Sequence, residues 1–153
     1  MRITFSGLRA DVPDGWTDAS TLVFMMPAST LTAPLAKQRK ADRSPANVAI
    51  SWGAAPKGAS AAHAAVLLEG RLDEMQRALP GFTRRAHGER DGVAWAEVSF
   101  DAEAPLVQLV MSRIVGPTAI SVTGSALLAA YSDALRDRFL DVARSIAPTA
   151  PAK

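Results

Sequence analysis

The sequence has no cysteine, only two histidines and a single tyrosine among 153 residues. Without thiols, disulfide bracing, thiolate nucleophiles and cysteine-ligated metals are all excluded, and a reducing compartment is the natural setting. Neither histidine, His63 or His87, has a partner at metal-ligand spacing on its own element. His87, Glu89 and Asp91 would alternate onto one strand face near a turn, which reads as a solvated hairpin tip and not as a metal site. Charge of one sign is also lacking, since 17 Lys and Arg face 15 Asp and Glu for a net charge of +2. The basic residues are scattered apart from Lys37-Gln38-Arg39-Lys40 and Arg84-Arg85. Nucleic-acid binding needs a basic stripe with base-reading side chains, so nucleic acid is not an expected partner.

Long hydrophobic runs are missing as well. No window approaches the ~20 apolar residues of a membrane span, so stable membrane insertion is not expected. Met1-Arg2-Ile3-Thr4-Phe5-Ser6-Gly7 has no continuous apolar core and no cleavage site, so a secretory leader is not expected and the cytoplasm is. Catalytic signatures are equally scarce. Asp14, Asp18, Asp73, Glu74, Glu97, Asp101 and Glu103 form no paired-carboxylate pattern, and Ser121-Val122-Thr123-Gly124-Ser125 is not a nucleophile elbow. No glycine-rich phosphate cradle occurs. The expectation is a protein that is not an enzyme and needs no cofactor or metal.

What the chain does have is apolar residues at 48% against 21% charged, enough for one globular domain spanning 1–147 with a tail at 148–153 that is not expected to order. Ile3 to Val12 reads as one bent strand or a hairpin broken at Ser6-Gly7. Pro13-Asp14-Gly15 then makes a tight turn, because proline presets φ, aspartate bonds its own backbone and glycine supplies a positive φ. Trp16 anchors that turn against the core. Thr21 to Met26 is a strand stopped by Pro27, residues 28–46 a long loop, and Asn47 to Trp52 a further strand.

From Ala59 to Leu79 the spacing turns helical, with Ala61, Ala65, Leu68, Leu72, Met75 and Leu79 in one stripe that stops at Pro80-Gly81. Strands follow at about Phe82–Arg90, Val93–Asp101 and Leu106–Val115, the first two joined by the hairpin pair Asp91-Gly92. In the second of these, Ala94, Ala96, Val98 and Phe100 share one face, and Trp95, Glu97 and Ser99 the other. A short strand at Ala119–Thr123 and a helix from about Ser125 to Ala147 complete the pattern, the helix carrying Leu128, Tyr131, Leu135, Phe139, Val142 and Ile146. Three strands, a helix, four strands and a helix, with short turns between the strands, imply an α+β sandwich with an antiparallel sheet.

Gln108 stands inside Leu106-Val107-Gln108-Leu109-Val110-Met111, a strand otherwise apolar on both faces. Its amide is either at a solvated sheet edge or satisfied by neighbouring backbone, or it is kept for the backbone or side chain of a bound segment. Met25, Met26 and Met111 read as core, with the thioether's ability to repack around varied apolar ligands as the other reading.

These pieces, in this order, resemble the DcrB-like family. Val12-Pro13-Asp14-Gly15-Trp16-Thr17-Asp18-Ala19-Ser20 is similar to its P-x-G-W-x-D-x-[ST] entry, Asn47-Val48-Ala49-Ile50-Ser51 to its next strand, and Leu79-Pro80-Gly81-Phe82 to its L-P-G-F helix end. Asp91-Gly92-Val93-Ala94-Trp95-Ala96-Glu97-Val98-Ser99-Phe100 is similar to the central hairpin, and Val107-Gln108 to a Val or Tyr followed by Gln. The resemblance runs from about residue 3 to 146 and implies a PsbP-like α/β/α sandwich with a curved, mostly antiparallel sheet of about six or seven strands and two main helices. Short cytoplasmic members of that family resemble the Eag chaperones of type VI secretion. Those commonly work as homodimers and hold apolar N-terminal transmembrane segments of effectors, often of PAAR or Rhs type, until loading onto the spike. The alternative within the family is a structural or envelope-associated role. On the chaperone reading, the strand faces carrying Leu22, Phe24, Met26, Ile50, Trp52, Gln108 and Val110 are the expected partner-binding residues.

Overall fold

Alternation of small and large apolar residues from Val93 onward builds a sheet that is greasy on both faces and must be covered on both. The computed structural model describes residues 2–5, 8–11, 21–25 and 46–148. In chain order the strands are β1 (Arg2–Phe5), β2 (Leu8–Asp11), β3 (Thr21–Met25), β4 (Ala46–Ala54), β5 (Thr83–Arg90), β6 (Val93–Phe100), β7 (Leu106–Val115) and β8 (Thr118–Leu127). Helix α1 (His63–Ala78) lies between β4 and β5, and α2 (Asp133–Ser145) follows β8 after a 3-10 turn at Leu128–Ala130. Strands β1 and β2 form their own antiparallel pair, with Phe5 opposite Leu8, so the hairpin reading of that segment holds. The other six make one sheet in the order β3-β4-β8-β7-β6-β5, with every pairing antiparallel. The Pro13–Gly15 turn, Trp16, Met26, most of the 28–46 loop and the tail beyond residue 148 lie outside the described residues.

The two helices cover opposite faces, so the α+β class and the three-layer arrangement are as expected. Helix α2 sets Leu135, Phe139, Leu140 and Ala143 against Ala46, Val48, Val93, Leu109, Met111, Ile120 and Val122. Helix α1 sets Ala64, Leu68 and Leu72 against Ala94, Ala96, Val98 and Val110 on the other side. The division of β6 into an Ala94-Ala96-Val98 face and a Trp95-Glu97 face is thus the division between the two cores. Gly124 on β8 sits directly beneath the Phe139 ring, where a Cβ would overlap it, so a glycine is what lets α2 approach the sheet. Asp91 and Gly92 both take positive φ, 52° and 78°, as the type I′ turn between β5 and β6 requires.

Two expectations need correction. Strand β8 continues to Leu127 and α2 begins only at Asp133, because β7 offers a full-length partner and Leu106 pairs with Leu127. The helix starts where Ser132 caps it, its hydroxyl accepting from the Leu135 N–H at 3.2 Å. Leu128, placed in the helical stripe by its spacing, is exposed in the 3-10 turn. The buried stripe of α1 is Ala64, Leu68 and Leu72, whereas Ala61 and Ala65 are exposed, because the helix opens at His63 and its phase is set from Leu68.

A candidate binding groove beside helix α1

Cross-strand register sorts every residue by face. On the α1 side stand Gln108, Val110 and Ser112 of β7, Ser121, Thr123 and Ser125 of β8, and Asn47, Ala49, Ser51 and Gly53 of β4. Val23 of β3, opposite Ala49, continues this face and is 57% exposed. Helix α1 packs over β6 and β7. Between it and the β4–β8 part of the sheet runs a groove of about 730 Å³. Val66, Leu67, Gly70, Arg71, Glu74 and Met75 form its helical wall, and Ser51, Gly53, Ala119 and Ser121 are on its sheet side. Val66 is 69% exposed, so two of the three large apolar side chains left exposed among the described residues border this face.

The groove's helical wall sets apolar Val66, Leu67 and Met75 beside charged Arg71 and Glu74, and its floor carries hydroxyls. Arg71 crosses it and donates from Nη1 to Ser121 Oγ and from Nη2 to Thr123 Oγ1, the latter at 2.9 Å. Burial holds its pKa below the usual arginine range, against a weaker raising influence from Glu74. Gln108 Nε2 donates to Ser125 Oγ at 3.0 Å, so its amide is satisfied from the neighbouring strand while remaining half-buried on this face. A Cβ at Gly70 or at Gly53 would meet nothing within 4 Å. Gly70 therefore weakens the exposed middle of α1 by about 0.5–1 kcal/mol relative to alanine without easing any local crowding. Gly70→Ala is expected to raise the thermal midpoint by a few degrees; a lower midpoint would mean that the space above Gly70 is filled in the folded protein.

The partner-binding set read from the sequence is divided between the two faces. Ile50 and Trp52 are half-buried against the α2 core, and the β3 register sets Leu22 opposite Ile50 and Phe24 opposite Val48, positions on that same side. Met26 lies outside the described residues. Val110 is fully buried beneath α1, and Gln108 is on the groove side. Of the set, Gln108 and Val110 are on the groove's face of the sheet, Val110 covered by α1, and Trp52 reaches the groove's lining from β4. Residue spacing does not mark Val66, Arg71 or Gly53 as groove residues; the signals the sequence offers are a glycine, Gly70, in the middle of an otherwise strong helix and the alternation Ser121, Thr123, Ser125.

On the α2 side a buried polar cluster ties β5, β6 and α2 together. Glu97, 6% exposed, accepts from the Tyr131 hydroxyl at 2.7 Å and faces Arg85 at 3.4 Å and Arg136 at 3.9 Å. Arg85 also lies over the Tyr131 ring and Arg136 over Trp95. Burial and the adjacent carboxylate push the Tyr131 phenol well above its ordinary value of 10.0. A raised folded-state pKa contributes stability that is complete below the unfolded value and is lost as pH rises above about 10. Because this is the sole tyrosine, tyrosinate absorbance near 295 nm should appear only with unfolding. Tyr131→Phe should abolish the tyrosine-linked part of the alkaline loss of stability. Phenolate forming in the folded protein near pH 10 would contradict the cluster. His87, Glu89 and Asp91 are exposed, so the hairpin tip is solvated as expected, and Asp91 there pairs with Arg144 of α2 at 2.6 Å.

No protein-family model matches this sequence, and no curated protein does. Among solved structures, the chain is similar to a crystal structure of PA94 from Pseudomonas aeruginosa, a protein of unknown function suggested to be a regulator. The identity is 17%, the TM-score 0.65, and the match covers 98% of this chain and 97% of that one. At this identity the likeness concerns the fold.

Proposed function

We propose that this chain is a binding module that shelters an apolar segment of a partner protein, in the manner of an Eag-type chaperone of type VI secretion effectors. The observation that supports this reading is the groove between α1 and the β4–β8 part of the sheet, with Val66 exposed on its helical wall and Val23 exposed further along the same sheet face. An apolar N-terminal segment left bare in water associates with its own kind, and a groove with apolar side chains on its wall and a hydroxyl floor gives it burial together with polar contacts. No helix of the described residues is itself long and apolar enough to cross a membrane. On this reading the architecture is PsbP-like, the protein acts in the cytoplasm as a homodimer, and its guest is the N-terminal segment of a PAAR- or Rhs-type effector awaiting the spike.

The test is co-expression with the protein encoded beside this chain that carries an apolar N-terminal segment. The segment should be soluble and co-purify when this chain is present and aggregate when it is absent. Equal solubility in both cases contradicts the chaperone reading.

A further inference from the structure

We propose that Arg71 selects guests that carry a carboxylate, an Asp or Glu side chain set within or beside the apolar segment. This rests on the groove being the guest site. Arg71 is held in place by two neutral acceptors, Ser121 Oγ and Thr123 Oγ1, which fix the guanidinium but give it no carboxylate in direct contact. Among the described residues no carboxylate lies within ion-pair distance of it, whereas Arg84, Arg85, Arg90, Arg136 and Arg144 each have one. Glu74, the acid on the same wall one turn further along, acts on it only at longer range.

The physical consequence is a preference. Half-buried already, Arg71 loses its remaining water when a guest closes over the groove. Stripping water from an unpaired charge is costly, so a wholly apolar guest is penalised at this point. A guest carboxylate reverses the sign, because the guanidinium has more N–H donors than the two hydroxyls occupy and charge-assisted pairs are the strong ones. The open space at Gly70, on the same wall, lets a guest backbone come close enough for a short acidic side chain to reach.

The experiment uses two fluorescein-labelled synthetic peptides, leucine- and alanine-rich helices identical except for one central Glu or Gln, titrated with the full chain and followed by fluorescence anisotropy. The Glu peptide is expected to bind wild-type protein at least about tenfold more tightly than the Gln peptide. The preference should vanish in Arg71→Met and survive in part in Arg71→Lys, which keeps the charge, with thermal melts confirming that both variants fold. Equal binding of the two peptides to wild-type protein, or an undiminished preference in Arg71→Met, overturns the assignment of Arg71 and leaves the groove standing. Failure of both peptides to bind wild-type protein overturns the groove as guest site and this selectivity with it.

Discussion

Phe139→Ala is expected to destabilise the protein by about 3–5 kcal/mol, the range for deleting a buried aromatic side chain. At roughly 2–4 °C per kcal/mol for a chain of this size, the thermal midpoint should fall by about 6–20 °C. Phe139 is 3% exposed and rests on Gly124, so the loss combines vanished apolar contact with a cavity between α2 and β8. Gly124→Ala alone should cost about 1–3 kcal/mol, because its methyl overlaps the Phe139 ring and the packed helix cannot retreat without disturbing its neighbours. The informative result is the pair. In the Phe139→Ala background the methyl of Gly124→Ala enters space that the ring has left, and the second substitution should become neutral or mildly stabilising. Denaturant titrations of the four proteins give the coupling energy directly. Additive losses would mean that the ring does not lie over Gly124 and that α2 is seated elsewhere on the sheet.

Gly70→Trp is expected to leave the fold intact and to reduce retention of a co-expressed apolar segment at least about tenfold, the effect of losing a well-buried contact patch. The reason is positional. Gly70 is exposed on the helical wall of the groove with nothing within 4 Å of an added Cβ, so an indole there occupies guest space and not core space. Asp137→Trp supplies the control, since Asp137 is exposed on α2 across the sheet and its loss removes only the surface pair with Arg90. Retention lost equally in both variants would point to general surface disturbance. Retention lost only in Asp137→Trp would move the guest to the α2 face, where the register positions of Leu22 and Phe24 lie.

Most of the architecture is readable from residue spacing, and the binding face is not. The β5–β6 hairpin announces itself in Asp91-Gly92 and in the alternation from Val93 to Phe100, because turn chemistry and a period of two are local properties. The end of β8 is invisible locally. Thr123-Gly124-Ser125 has modest strand propensity, and it is the ladder to Leu106–Gln108 that carries the strand on to Leu127. The phase of α1 is not legible at Ala61 and Ala65, because alanine fits a buried or an exposed helical position equally well. Which face of the β4–β8 sheet a helix leaves bare depends on where α1 docks, and it docks on β6 and β7 through Leu68 and Leu72. No pattern within β3 or β4 records that choice, so Ile50 and Trp52 looked as suited to a guest as Ser51 and Gly53. Gln108 was recognisable because an amide inside an apolar strand demands a partner wherever the helices fall, and Ser125 supplies one.

The most direct measurement is photocrosslinking of a co-expressed apolar N-terminal segment to benzoylphenylalanine placed singly at Ser51 and at Asp137. Ser51 is half-buried and lines the groove beside α1, and Asp137 is on the exposed side of α2. Crosslinks from position 51, and their absence from position 137, are the predicted result. Crosslinks confined to position 137, or none at position 51 from a segment that still co-purifies, would contradict the groove as the site that holds the guest.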